Sequence, residues 1–359
     1  MEISLEKQSK ALARQKSNPF LRDVTQDPWE NGFPELESLH KDTLDSLLEL
    51  VASTKQNPYA GGLLRFIIGS PGSGKTALLG RLRRALKENY RAPFVYVYPF
   101  VCAQTSTMYL VKQVFKDLLR KEKDDGSSYL QEIVLGWYQE ALRVYFAQYP
   151  EQKSSFSTLF QASQSIESLS FLFSQGFFVG LPSPVLEHIL DESNIPQDVL
   201  SVLLSLPFPE KEKIASLWLK GNILEERQIQ LLCPKKMSRI PEALFPEENE
   251  QNEEKASQIL VSLSQFLKER GPLVLCFDQI ESYSSPELIK ALEKLVFHIS
   301  NRMKNTIALV FGRTDIGNKI KTHMEPAAIS RLMDYQYELK YCDEQQAMEL
   351  IERRLEWVF

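Results

Sequence analysis

Gly69-Ser70-Pro71-Gly72-Ser73-Gly74-Lys75-Thr76 spells the pattern G-x-x-x-x-G-K-[ST], and its flanks give that pattern the setting it needs. The apolar run Leu63-Leu64-Arg65-Phe66-Ile67-Ile68 precedes it, and a helical pattern from Ala77 through Leu86 follows. Strand, glycine turn and helix start together make a phosphate cradle. The glycines let the backbone curl until successive N–H groups face the phosphate oxygens, and the helix N-terminus adds partial positive charge. In such a cradle Gly69, Ser70, Pro71, Gly72, Ser73, Gly74, Lys75, Thr76 and Ala77 form the binding surface. Lys75 reaches the β- and γ-phosphates and the Thr76 hydroxyl ligates Mg²⁺. The stretch predicts a bound nucleoside triphosphate.

Working outward, Phe94 to Tyr98 reads as a second strand behind Pro93, and Leu273 to Phe277 as a third, ending on Asp278. Thr306 to Phe311 and Tyr335 to Leu339 complete the set. Helical periodicity marks 35–53, 107–121, 255–269 and 286–303, the last behind Ser284-Ser285-Pro286-Glu287, a good N-terminal cap. Wholly apolar strands alternating with helices predict an α/β fold, a parallel sheet sandwiched by helices. The first two strands must share that sheet with strands far downstream. The intervening stretch then reads as a helical insertion, with segments at 129–148, 156–175, 197–205 and 211–220 split by prolines. Glu247–Glu254 is expected to be a solvated acidic loop.

The expected division is 1–34 as an N-terminal helix and linker, 35–123 and 255–341 as two parts of one core, 124–254 as the insertion, and 342–359 as the start of a helical lid. Within the first segment, 1–17 reads as a charged amphipathic helix. Phe20, Trp29 and Phe33 in the linker are expected to dock against the core.

A hydrophobic content of 43%, a charged content of 25% and a net charge of −5 over 359 residues describe an ordinary globular chain with no global pull toward nucleic acid or anionic membrane. The basic cluster Arg81, Arg83, Arg84 and Lys87 fits a solvated helix face as well as it fits an anion-binding patch. Cys102, Cys233, Cys276 and Cys342 share no metal-ligand spacing and no disulfide framework, which fits a reducing cytosol. No stretch approaches the ~18 uninterrupted apolar residues of a membrane span, and no signal pattern opens the chain. The expected setting is cytoplasmic.

Asp278, at the end of an apolar strand, is placed to hold Mg²⁺ near the phosphate loop; the alternative is a simple strand cap. Hydrolysis requires a group that orients the attacking water. Gln279 can position water but cannot take its proton, whereas Glu281 can, so slow hydrolysis is expected with Glu281 first and Gln279 second. Arg313 and Thr314, where the fourth strand runs out, are placed to sense the γ-phosphate; an exposed turn is the alternative. Arg331, before the last strand, is a candidate arginine finger for a neighbouring subunit or a surface ion pair.

With these residues in view the chain resembles an AAA+ ATPase, in the style of the origin-recognition clade and the related STAND ATPases. The resemblance rests on Gly69–Thr76 as Walker A, Leu273–Asp278 as Walker B, Arg313/Thr314 as sensor 1 and Ser330-Arg331 as the finger region. The run from Tyr341-Cys342-Asp343 to Leu355 is similar to the start of the helical lid in that clade. It covers roughly 36–123 and 255–359, and implies ATP and Mg²⁺ as ligands. Gln279 departs from the usual glutamate, and Arg313 from the usual AAA+ asparagine. Trp218-Leu219-Lys220-Gly221 is similar to bacterial ATP-binding proteins of phage-defence operons, so an antiviral role is implied. The chain stops at Phe359 inside the first lid helix and reads as part of a longer protein.

The expected function is a slowly hydrolysing ATPase acting as a switch or assembly factor, as a homo-oligomer or with a partner protein held by the insertion and lid. A DNA-associated loader or remodeller and a small-molecule phosphotransferase are the alternatives. Nucleic acid is not indicated by the charge, and no membrane partner is expected.

Overall fold

The computed structural model describes residues 27–29, 35–121, 126–175, 184–185, 188–189, 194–232, 240–267 and 271–358. The expectations for 1–17, Phe20, Phe33 and Cys233 lie outside them. Five strands, β1 (Leu63–Gly69), β2 (Phe94–Val97), β3 (Leu273–Phe277), β4 (Thr306–Gly312) and β5 (Gln336–Leu339), form one sheet in the order β2-β3-β4-β1-β5. Every pairing is parallel, with Val97 opposite Phe277, Phe277 opposite Val310 and Ile67 opposite Phe311. The expected sandwiched parallel sheet is therefore the fold of this chain.

Parallel neighbours cannot be joined by tight turns, so helices cross over between them. The helices of the chain, of which the first precedes β1 and the last follows β5, include in order α1 (Lys41–Gln56), α2 (Lys75–Ala85), α3 (Ser106–Leu118), α4 (Tyr129–Gln148), α5 (Ile166–Ser174), α6 (Gln197–Leu203), α7 (Pro209–Leu219), α8 (Glu250–Phe266), α9 (Pro286–Arg302), α10 (Ile316–His323), α11 (Pro326–Met333) and α12 (Glu344–Val358). β2, β3 and β4 are buried at every position, which is why they read as unbroken apolar runs. Their side chains still alternate. Tyr96, Cys276, Leu309 and Phe311 pack with Leu44 and Leu47 of α1 and Leu78 and Leu82 of α2. Val95, Val97, Leu275 and Val310 face the other way, into a larger cluster with α3, α4, α8 and α9. Burying each such side chain contributes about 1.5–3 kcal/mol.

The acidic run is not a loop. Asn249 accepts the Asn252 N–H and opens α8 at Glu250, and Glu253 Oε1 accepts the Met108 N–H at 3.1 Å in the first turn of α3. Acids at two helix starts complement unpaired N–H groups and the dipole, so the charge run is a capping device. The helix expected at 156–175 is broken. It divides into Ser157–Ala162 and α5, where Ser165 accepts the Ser168 N–H as an N-cap. The helix expected from residue 35 begins at Lys41 instead, because His40 takes a left-handed backbone (φ 55°). Residues before it are tied to α2. Arg81 donates to the carbonyls of Leu39 and Glu37, and Arg84 pairs with Glu35. The basic cluster thus includes anchors for that segment. Helices α10 and α11 were not marked by the sequence pattern. The cap expected before α9 is present, with Ser285 accepting the Leu288 N–H.

Candidate functional site

Strand order builds the site. β4 lies between β1 and β3, so the loop after β1 and the acid after β3 flank the end of β4. The loop closes through Gly72 (φ 78°) and Gly74 (φ 88°), left-handed conformations that glycine adopts without strain, and Gly74 is the N-cap of α2. Close approach matters at Gly69, where an added Cβ would strike Ser73 Oγ.

The Lys75 ammonium folds back over the loop, donating to the Gly69 carbonyl at 2.7 Å and the Ser70 carbonyl at 3.0 Å. Burial lowers its pKa; Glu281 and then Asp278 act in the opposite sense, and Arg313 again lowers it. Lys75, Glu281, Asp278 and Arg313 thus share one electrostatic neighbourhood. The Thr76 hydroxyl lies 3.4 Å from Asp278 Oδ2, joining residues 202 apart in sequence. Burial raises the pKa of Asp278, opposed by hydrogen bonds from the Tyr96 hydroxyl and Gln279 N–H, by Lys75, and by Thr76.

The other expected residues divide. Glu281 stands in a single 3-10 turn, Ile280–Ser282, with Oε2 buried and without a hydrogen-bond partner. Gln279 is exposed, in a left-handed backbone conformation (φ 57°) that a side-chain-bearing residue adopts only at a cost. Its carbonyl accepts the Ser282 hydroxyl at 2.8 Å. Arg313 and Thr314 are exposed beyond β4, with Arg313 Nε 3.5 Å from Asp315 Oδ1. Arg331, on α11, is outside the cluster, its guanidinium 4.9 Å over the Phe297 ring of α9.

Two contributors were missed by sequence reasoning. Tyr96 donates a 2.8 Å hydrogen bond to Asp278 Oδ2 from inside the sheet. Its signal was a hydroxyl-bearing residue in an otherwise apolar buried strand, since a buried phenol must find a partner. Burial and Asp278 together raise the Tyr96 pKa, so it acts as a donor. His40 Nε2 lies 2.6 Å from the Ser73 carbonyl, beside Gly74. Burial lowers the His40 pKa, which leaves the ring neutral and donating through Nε2. A histidine at a helix start 33 residues before Ser73 gave no local signal. The Tyr341 hydroxyl, in the link between β5 and α12, donates to the Pro71 carbonyl of the loop at 3.2 Å, and Arg353 of α12 donates to the Glu35 carbonyl of the anchoring segment at 3.1 Å.

The donor set fits Mg²⁺ and a polyphosphate. A hydroxyl and a carboxylate converge, the small protein ligand count that a magnesium ion retaining several waters prefers. Ser73 Oγ is buried in the loop with no hydrogen-bond partner, as a hydroxyl meant for a ligand would be.

A family model for the AAA ATPase domain matches residues 41–298. The crystal structure of Cdc6p from Pyrobaculum aerophilum is similar at 12% identity and a TM-score of 0.41, covering 93% of this chain. The chain spans about half, 54%, of that protein. Comparison with curated proteins gave no match.

Proposed function

The chain belongs to the AAA ATPase family, and on that premise we propose that it binds Mg·ATP at Gly69–Ala77, hydrolyses it slowly and works as a nucleotide-driven switch or assembly factor. The observation that carries this reading is the 3.4 Å approach of Thr76 Oγ1 to Asp278 Oδ2 beside Lys75. Thr76 and Asp278 would hold Mg²⁺, which would supply positive charge to offset the charge that develops in phosphoryl transfer. The loop N–H groups orient the phosphates, and Lys75 exchanges its bonds to the Gly69 and Ser70 carbonyls for phosphate oxygens. Glu281 orients the attacking water and accepts its proton, a role supported by its partnerless buried Oε2 and its pull on Lys75. Gln279, turned to solvent, is the second candidate. A site without a carboxylate directly after Asp278 suits slow turnover.

Arg313 and Thr314 report the γ-phosphate from between the loop and the acid. Arg331, exposed and away from its own site, serves a neighbouring subunit as a finger. Residues 35–123 and 255–341 make up the ATPase core in this reading, and 124–254 with the lid segment 342–359 contacts the partner or the next copy. The bond of Tyr341, just before the lid, to the Pro71 carbonyl and that of Arg353 within the lid to the Glu35 carbonyl give the lid a route to feel the nucleotide. A cytosolic setting is supported by the cysteine pattern and a defence role by the sequence resemblance at Trp218; that residue, whose Nε1 donates to the Pro241 carbonyl at 2.8 Å, packs in the core. Among the described residues no helix is long and apolar enough to cross a membrane.

Light scattering with and without Mg·ATP, alongside salt-dependent DNA retention, tests the reading. A switch changes mass with nucleotide and retains little DNA. ATP-stimulated, salt-sensitive DNA retention without a mass change would favour the loader, and a labelled small acceptor would favour the phosphotransferase.

A further inference from the structure

A cavity of about 770 Å³ opens at the end of the sheet opposite the phosphate loop, where β2 begins and where α3, α4 and α5 meet. That volume is in the range of small-ligand sites. Arg83, Lys87, Arg91 and Arg120 all line it. Two of them gather on one ring: the guanidinium carbon of Arg120 lies 4.2 Å, and that of Arg83 4.9 Å, from the centroid of Trp29. A guanidinium stacked by its face keeps in-plane N–H groups directed sideways, the arrangement that grips phosphate. Arg120 pairs with Asp117 at 3.8 Å, longer than a hydrogen bond, and Arg83 Nε donates to the Pro28 carbonyl at 3.1 Å.

Three acids also line the cavity, Asp117, Glu132 and Glu167. Asp117 is turned inward, its Oδ2 accepting the Tyr96 N–H at 2.7 Å, and burial pushes its pKa up to about 6. The field at Arg83 is repulsive to a cation: after burial, Arg84 and Arg120 lower its pKa more than Asp27 or Glu35 individually raises it. Tyr129 and Phe171 add aromatic faces to those of Trp29 and Phe94. Tyr129 stands at the start of α4, and Phe171 on α5 is 68% exposed, a large apolar ring left at the mouth.

We propose that this cavity binds a small phosphorylated ligand bearing a planar ring, of the nucleoside monophosphate class, with phosphate on the arginine side and the ring against Phe171. The site is separate from the loop that takes Mg·ATP.

The test is calorimetric titration of AMP, GMP, CMP and UMP into the full chain with the phosphate loop first filled by Mg·ADP. Filling is checked in its own titration, so a failure of the ATP-site reading is seen separately. Saturable one-to-one binding of at least one mononucleotide is expected. It should weaken at least tenfold in Lys87→Gln/Arg91→Gln, both at exposed positions and with folding verified by circular dichroism, and severalfold in Phe171→Ala. No saturable heat from any of the four, or binding indifferent to the double substitution, overturns the proposal. Binding of a single-stranded oligonucleotide with no mononucleotide binding does so too.

Discussion

The Tyr96 hydroxyl donates to Asp278 Oδ2 at 2.8 Å, the same oxygen that the Thr76 hydroxyl approaches at 3.4 Å. The two hydroxyls and the Gln279 N–H, which donates to Oδ1 at 2.9 Å, fix the carboxylate from three sides. Removing the phenol oxygen in Tyr96→Phe leaves a buried carboxylate short of a donor. Stability is expected to fall by about 1–3 kcal/mol, the range for a hydrogen bond to a buried charged group. Affinity for Mg·ATP should fall severalfold while affinity for ATP in chelator stays within a factor of two. Equal losses in both would mean that Tyr96 acts on the loop rather than on Asp278.

His40 should behave in the opposite way. Its ring holds the Ser73 carbonyl within the loop itself, so His40→Ala is expected to weaken ATP with and without metal alike. One neutral hydrogen bond of about 1 kcal/mol corresponds to roughly fivefold. A loss seen only with Mg²⁺ would remove this assignment.

For hydrolysis, single-turnover rates of Glu281→Gln and Gln279→Ala at saturating Mg·ATP separate the two candidates. Glu281→Gln is expected to slow the step at least tenfold, as loss of a general base does. Gln279→Ala should slow it by less. Undiminished rates in both variants remove the proposal.

Acid stability carries a signature of His298, which lies 3.4 Å from Ser257 Oγ. Burial, helped by Arg302 and opposed by Glu254, lowers its pKa to about 4 from 6.5. The folded state therefore resists protonation. Its contribution is complete above about pH 6.5 and is lost as pH falls toward 4, by up to about 3 kcal/mol at 1.36 kcal/mol per unit. Asp117, raised to about 6 from 3.8, works the other way, gaining stability as pH falls through that window. The clean measurement is thus the difference in denaturant stability between wild type and His298→Gln, which should shrink and reverse between pH 7 and 4. A flat difference contradicts it.

The sheet was legible because β2, β3 and β4 are buried on both faces, leaving unbroken apolar runs that only a covered parallel sheet accommodates. The loop was legible because its chemistry is local. Asp278 was legible because an acid ending such a run has few structural uses. Glu253 was misread because its charge looked solvated, whereas it serves a helix 145 residues earlier in sequence. Tyr96 and His40 stayed hidden for the same reason. Each acts across the fold on a partner that no spacing rule connects, and in Tyr96 a polar tip sits on a body that reads as core.

The most direct test is calorimetric titration of Mg·ATP into wild type, Lys75→Ala and Asp278→Ala proteins whose folding has been verified by circular dichroism. A single saturable site is expected in wild type, weakened at least a hundredfold in Lys75→Ala. In Asp278→Ala the advantage of Mg·ATP over metal-free ATP should disappear. Full wild-type affinity retained by both substituted proteins would contradict the convergence of loop and acid on one metal–triphosphate.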